Sequence, residues 1–201
     1  MQTFVVVPYG SVDAGTASRI ARVLDEGDQA RLTSLTGDDE RIQSFLAGRL
    51  ALRTAAARLG HPELLISAPC PDCGLSHGRP VAVGASQPVH LALAHADGRA
   101  FAVASRAPVG IDAEPAATEQ SRREAIDDLV PGRGDPLRRW TAVEAVLKAD
   151  GRGLRRAPDA VRIRMFSARL DGRRYRLRTT RVDGCVATVA RLQRDSEGSR
   201  G

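Results

Sequence analysis

The spacing of apolar residues changes period several times along the 201 residues. Thr3–Val7 is a β-branched and aromatic run closed by Pro8, which predicts a strand. From Thr16 to Leu35 a helical period takes over, with Ile20, Val23 and Leu24 on one stripe and Gly27 predicted to split the helix in two. Asp38–Arg58 reads as one long helix, with acids in its first turn, Gly37 before it and Gly60 past its end. Its apolar stripe is Ile42, Phe45, Leu46, Leu50, Leu52 and Ala56. Leu64–Ser67 predicts a brief strand. Val89–Ala94 and Arg99–Ser105 flank Asp97-Gly98, the signature of a type I′ hairpin.

The second half repeats the mixture. Val109–Ile111 opens a strand, Thr118–Leu129 is helical, and Pro131–Pro136 is a loop. Arg139–Asp150 is a helix with Asp135 as N-cap, Pro136 behind it and Gly151 at the C-terminal position. Three strands then follow over Val161–Met165, Arg174–Arg181 and Cys185–Leu192, the last two joined across Asp183-Gly184. The polar stretch 193–201 predicts a disordered tail. Each half thus reads as helices plus a hairpin with an Asp-Gly turn. The expected fold class is α+β, with two similar lobes over 1–105 and 106–192 joined near Ala104–Pro108.

Composition narrows the function. Hydrophobic residues at 42% and charged residues at 27% are those of a globular protein. No apolar run approaches a membrane span and the first residues lack a signal-peptide pattern, so a cytoplasmic protein is expected. Three cysteines in that setting argue against a disulfide framework. The net charge of +6 and a pI near 10.2 call for a negatively charged partner. Aromatic residues at 3% and the lack of a basic stripe beside base-reading amides disfavour nucleic acid. An acidic protein or a phosphorylated ligand fits better. Arg41, Arg49 and Arg53 recur on the long first-half helix at four- and eight-residue spacing, and the simplest reading is a solvated face.

Two stretches carry candidate chemistry. In the helix 139–150, Ala142, Ala145, Val146 and Ala149 form the core stripe, which puts Trp140, Glu144 and Lys148 on the opposite face. A Glu four residues before a Lys is an ordinary surface pair. Two facts argue for more: an indole shares that face, and Lys148 is the only lysine among 30 Lys and Arg, the other 29 being arginine. A compact ammonium is evidently required where a planar guanidinium will not serve. In the second stretch, Asp112 and Glu114 project from one face of the strand that begins at Val109. Adjacent carboxylates repel; either a divalent cation held by oxygen ligands, Mg²⁺ by preference, reconciles them, or the strand has ended and both acids are wet loop residues. His95 closes the strand before the Asp97-Gly98 turn. Cys70-Pro-Asp-Cys73 followed by His77 is half of a zinc site, but a closed tetrahedron takes four ligands and Cys185 lies in an apolar strand. The favoured reading is a reduced, loop-borne pair.

Val109-Gly-Ile-Asp112-Ala-Glu114 and Trp140-Thr-Ala-Val-Glu144-Ala-Val-Leu-Lys148-Ala-Asp-Gly151-Arg-Gly153-Leu154 together resemble the Sfp-type 4′-phosphopantetheinyl transferases. That family carries G-[IV]-D-x-E and W-[TS]-x-K-E-A-x-x-K-x-x-G-x-G-L in this order and at this separation. Weaker matches are Phe45–Arg53, His77-Gly-Arg79-Pro80 and His95. The resemblance spans about Val23 to Leu192. It implies a pseudo-twofold pair of α+β lobes with the active site in the cleft between them. It also implies transfer of phosphopantetheine from coenzyme A to a serine of an acyl or peptidyl carrier protein, releasing 3′,5′-ADP. Asp112, Glu114 and Glu144 would hold Mg²⁺, with Mn²⁺ as a substitute, Glu144 would serve as base and Lys148 would stabilise the departing phosphate. His95, Arg79, Arg53 and Arg49 would contact coenzyme A. The acidic carrier protein would be the partner of a basic monomer. Two positions depart from the family: Val143 stands where it has a lysine and Ala94 where it has a serine. The alternative reading is a catalytically impaired, arginine-rich module that binds carrier proteins or nucleic acid.

Overall fold

Fifteen helices and strands, besides short 3-10 turns, are resolved in a computed structural model that describes residues 1–193. The tail expected over 193–201 lies, except for Gln193, outside the described residues. Gln193 itself donates its backbone N–H to Arg174 O at 2.8 Å.

The first sheet is drawn wholly from residues 2–105. β1 (Gln2–Pro8), β2 (Leu65–Pro69), β3 (Ser76–Val83), β4 (His90–Ala96) and β5 (Arg99–Ser105) pair antiparallel in the order β1-β5-β4-β3-β2. β4 and β5 turn through Asp97 and Gly98, both at positive φ (46° and 67°), as the type I′ hairpin demands. Between β1 and β2 come α1 (Ala14–Ala21), α2 (Glu26–Ser34) and α3 (Asp39–Arg58). The break between α1 and α2 falls at Arg22–Asp25, not at Gly27. The Asp25 carboxylate accepts from Asp28 N and starts a new helix, leaving Gly27 inside its first turn. α3 is N-capped by Asp38, and its predicted stripe packs on β1, β4 and β5, with Leu52 fully buried and Ile42 and Leu50 at the margin.

The second sheet is drawn from residues 109–192. β6 (Val109–Pro115), β7 (Arg162–Arg164), β8 (Ser167–Leu170), β9 (Arg173–Val182) and β10 (Cys185–Leu192) pair antiparallel in the order β6-β10-β9-β8-β7. The single strand expected over Val161–Met165 is a shorter β7, and β8 was not anticipated. β8 meets β9 at Asp171-Gly172, again with both residues at positive φ (48° and 77°), so the turn signal was present in the sequence. α4 (Gln120–Leu129) and α5 (Pro136–Asp150) lie between β6 and β7. α5 has its predicted ends, with Asp135 accepting from Leu137 N and Gly151 left-handed at φ 89°.

The fold is therefore α+β, two five-stranded antiparallel sheets each packed by a helix. A third apolar cluster joins the sheets: Ala92, Ala94, Ala96, Phe101 and Val103 meet Val109, Ile111, Ala113, Ala187 and Val189. The many alanines let strands of the two sheets approach closely. No helix of the described residues is long and apolar enough to cross a membrane.

Candidate active site between the two sheets

The site begins with a missing side chain. A Cβ on Gly110 would stand 2.1 Å from Ala145 O, 2.5 Å from Ala149 N and 2.9 Å from Lys148 Cβ, so only glycine lets α5 lie this close to β6. Alternation along β6 sends Val109, Ile111 and Ala113 into the core between the sheets and leaves Asp112 on the Gly110 face, under α5. Lys148 Nζ, from the last turn of α5, donates to Asp112 Oδ1 at 2.7 Å.

Asp112 is only 8% exposed, and its Oδ2 is buried without a hydrogen bond from any described residue. Burial pushes its carboxyl up to about 6; Lys148 pulls the other way, while the charges of Glu144 and Glu114 add to the rise. Glu144, on α5, is raised as well, by burial first, against the pull of Lys148 and with a further push from Glu114. Both Glu114 oxygens accept from Arg122 at 3.0 Å. A buried, unpartnered carboxylate oxygen beside two more acids favours a hard cation, and the all-oxygen donor set suits Mg²⁺. The acids do not form a closed cage, however. Among the described residues, the group of metal-ligating atoms found within 4.8 Å of one another is Cys70, Cys73 and His77. The expected triad is instead held open, Asp112 by Lys148 and Glu114 by Arg122.

Two recesses meet at this pair. One, of ≈ 610 Å³, is basic: Arg31, Arg49, Arg79, His95 and Lys148 line it together with Phe45. The other, of ≈ 510 Å³, holds Asp112, Glu114 and Arg122, and shares His95 with the first. His95 lies one residue from the end of β4, with Nδ1 2.8 Å from the Tyr9 hydroxyl and 3.4 Å from Ser44 Oγ. Its ring lies against Gly48, where a Cβ would be 3.2 Å from both Cε1 and Nε2. The exposed ring surface opens into the two recesses, between protein walls. Burial first, then the charges of Lys148, Arg49 and Arg31, push its pKa down to about 4, so the ring is neutral at pH 7. A neutral ring carries one proton, and when the Tyr9 hydroxyl donates to Nδ1 that proton lies on Nε2, a donor suited to a phosphate oxygen.

The arginines divide. Arg79, on β3, is half-buried, reaches Val109 O at 3.4 Å and passes Gly151, where a Cβ would meet its NH1 at 2.7 Å. Gly151 thus both caps α5 and leaves room for Arg79. Arg49 is not on a solvated face. It is 5% exposed and ion-paired to Asp28, yet still lines the basic cavity. Arg53 donates to Leu64 O at 3.2 Å and lines neither recess, so the structure does not bring it to the others. Arg31 was not anticipated. It sits over the Phe45 ring at 5.5 Å, with Arg49 at 4.7 Å, and donates to Ser76 O at 2.6 Å. No local pattern in α2 marks it.

Two inferences from α5 need correction. Trp140 packs against the core of the second sheet and lines neither recess, so its indole is explained by packing. Val143 is fully buried in that same core. The departure at this position therefore removes no cation from the cavity. Ala94 is likewise a core residue, 6% exposed between the sheets.

No protein-family model matches the chain, and comparison with curated proteins finds no match.

Proposed function

We propose that the chain is a Mg²⁺-dependent 4′-phosphopantetheinyl transferase, moving the phosphopantetheine arm of coenzyme A onto a serine of an acyl or peptidyl carrier protein and releasing 3′,5′-ADP. The observation that carries this reading is the Lys148–Asp112 contact at 2.7 Å, which joins a cation-lined cavity to an acid-lined recess. A nucleotide diphosphate needs the first, and a divalent ion the second. In this reading the two sheet-and-helix units are similar lobes related by a pseudo-twofold, and the protein is a cytoplasmic monomer. The +6 charge draws the acidic carrier.

Asp112, Glu114 and Glu144 would hold the Mg²⁺, Glu114 turning away from Arg122 to do so. When bound, the ion neutralises charge on the coenzyme A diphosphate. The protein's own groups do the rest. Neutral His95 donates from Nε2 to a phosphate and Arg79 supplies fixed positive charge, while Arg49, its charge already met by Asp28, adds less. Glu144, directly or through a water, accepts the serine hydroxyl proton. The serine Oγ bonds to the phosphorus next to the pantetheine arm as the bond from that phosphorus to the bridging oxygen breaks. The electron pair leaves with 3′,5′-ADP, and Lys148 stabilises that charge.

The test is incubation with coenzyme A, Mg²⁺ and a panel of apo carrier proteins, read by intact mass. One phosphopantetheine added per carrier is expected, and Glu144→Gln should suppress it by about 10²–10⁴-fold. No mass gain on any carrier would count against the enzyme. One observation favours a second reading, the arginine-rich binding module: both Asp112 and Glu114 already have cationic partners within the chain. Carrier binding that falls steeply with salt and ignores Mg²⁺ and coenzyme A would select it.

A further inference from the structure

The second cluster of chemistry-bearing residues lies at the turn between β2 and β3. Cys70, Cys73 and His77 each bring one ligand atom within 4.8 Å of the other two. Both thiols are free, and Cys73 Sγ stands 3.0 Å from His77 Nε2. A tetrahedral Zn²⁺ with bonds of about 2.0–2.3 Å holds its ligand atoms roughly 3.5–3.8 Å apart, so the three need only small adjustments to share one ion.

The turn is shaped for this. Cys70 N donates to Leu75 O and Gly74 N to Cys70 O, both at 2.8 Å, and Gly74 sits at φ 75° where the chain doubles back. Gly78 follows directly, and a Cβ there would stand 2.2 Å from Pro69 O. Glycine is therefore required to keep His77 folded back over the cysteines. Asp72 is drawn away to Arg155 at 2.6 Å and does not compete for the ion. Cys73 and His77 are exposed, which leaves water to fill a fourth position.

We propose that Cys70, Cys73 and His77 bind a Zn²⁺ ion, completed by water, that pins the start of β3 at the rim of the basic cavity. The position gives the ion a purpose. His77, Gly78 and Arg79 all line that cavity, so a clamp on His77 fixes the strand that presents the Arg79 guanidinium. Soft thiolate and imidazole donors select Zn²⁺ here, as the oxygen donors around Asp112 select Mg²⁺. The site stands whether or not the chain transfers phosphopantetheine.

The full chain, purified in a phosphine reductant from zinc-supplemented cells without chelator or metal-affinity resin, provides the test. About one zinc per chain by elemental mass spectrometry is expected, falling to background in Cys73→Ser. To separate metal loss from loss of fold in that variant, Co²⁺ should also be titrated into the metal-free wild type. Thiolate-to-cobalt charge transfer and tetrahedral d–d bands are expected, saturating at about one equivalent and bleached by Zn²⁺. Melting temperature should rise with Zn²⁺ in the wild type and stay fixed in the serine variant. Octahedral, featureless cobalt spectra, or substoichiometric zinc with both thiols still free, would overturn the site. So would a Cys70–Cys73 disulfide that persists in the reductant.

Discussion

Two acids lie deep in this protein, each facing a cation, and they differ in how completely they are satisfied. Asp28 is wholly buried, and its oxygens accept from both Arg49 Nε and NH2 and from Ser76 Oγ. Asp112 receives one hydrogen bond, from Lys148, keeps its other oxygen bare and feels the charges of Glu144 and Glu114. The first arrangement is closed and the planar guanidinium makes it so, with two parallel donors for two oxygens. The second is open, and a single ammonium leaves it so. A closed pair builds structure. An open one, beside two recesses, keeps a carboxylate oxygen that a bound group could satisfy.

Replacing each cation in turn should produce opposite results. Arg49→Met strands the Asp28 charge in the core and should cost about 3–5 kcal/mol by urea or thermal unfolding. Lys148→Ala should cost only about 1–2 kcal/mol, because Asp112 borders the acidic recess and can take a proton or water instead. Transfer should nevertheless fall by about 10²–10⁴-fold in the lysine variant. Equal destabilisation by the two changes would make Lys148–Asp112 a second structural pair and remove the distinction.

A medium effect should appear with pH. The folded pKa of Asp112, about 6, lies above its unfolded value of 3.8. Its contribution to stability is thus fully present below about pH 4 and is lost as pH rises through about 6, for a total of up to about 3 kcal/mol. His95 has the opposite sign: at about 4 against 6.5, its contribution is present above pH 6.5 and lost as pH falls through about 4. The comparison must therefore be the difference between wild type and Asp112→Asn, in which His95 cancels. The stability gained by the substitution should grow between pH 4 and pH 6, and Mg²⁺ should shrink it. A gain that does not change with pH would mean that Asp112 is not strained by its charge.

The closed pair and the open one were not equally legible in the sequence. Asp112, Glu114, Glu144 and Lys148 could be marked because strand alternation and helical spacing fix which side chains share a face, and the lone lysine stood out. The ends of α5 were readable from Asp135, Pro136 and Gly151, whose preferences are local. Asp28–Arg49 was not readable. It joins α2 to α3 through a contact that neither helix announces, and Arg49 looked like one more solvated arginine. The same limit explains Arg31, and the failure on Trp140 and Val143: a helix's apolar face proved wider than the four-residue stripe, so both turned to the core. Gly110 is an intermediate case. Its place in the motif was visible, but the reason, a helix backbone 2.1 Å from where its Cβ would be, exists only in the fold.

The smallest effect asks whether the open arrangement is kept open by a removable partner. Arg122 holds both Glu114 oxygens at 3.0 Å, but its side chain is 60% exposed, so the pair is well screened and contributes at most about 1 kcal/mol. Arg122→Gln should leave the melting temperature nearly unchanged. It should free Glu114 to turn toward Asp112 and Glu144, and so tighten Mg²⁺ binding several-fold, measured by calorimetry or by competition with Mn²⁺ followed by electron paramagnetic resonance. Arg49→Met, which removes a cation of the other pair, should leave the metal affinity of the folded fraction much less affected. Should Arg122→Gln weaken the metal or leave it unmoved, Glu114 is no ligand, and the cation site would have to be built from Asp112 and Glu144 alone.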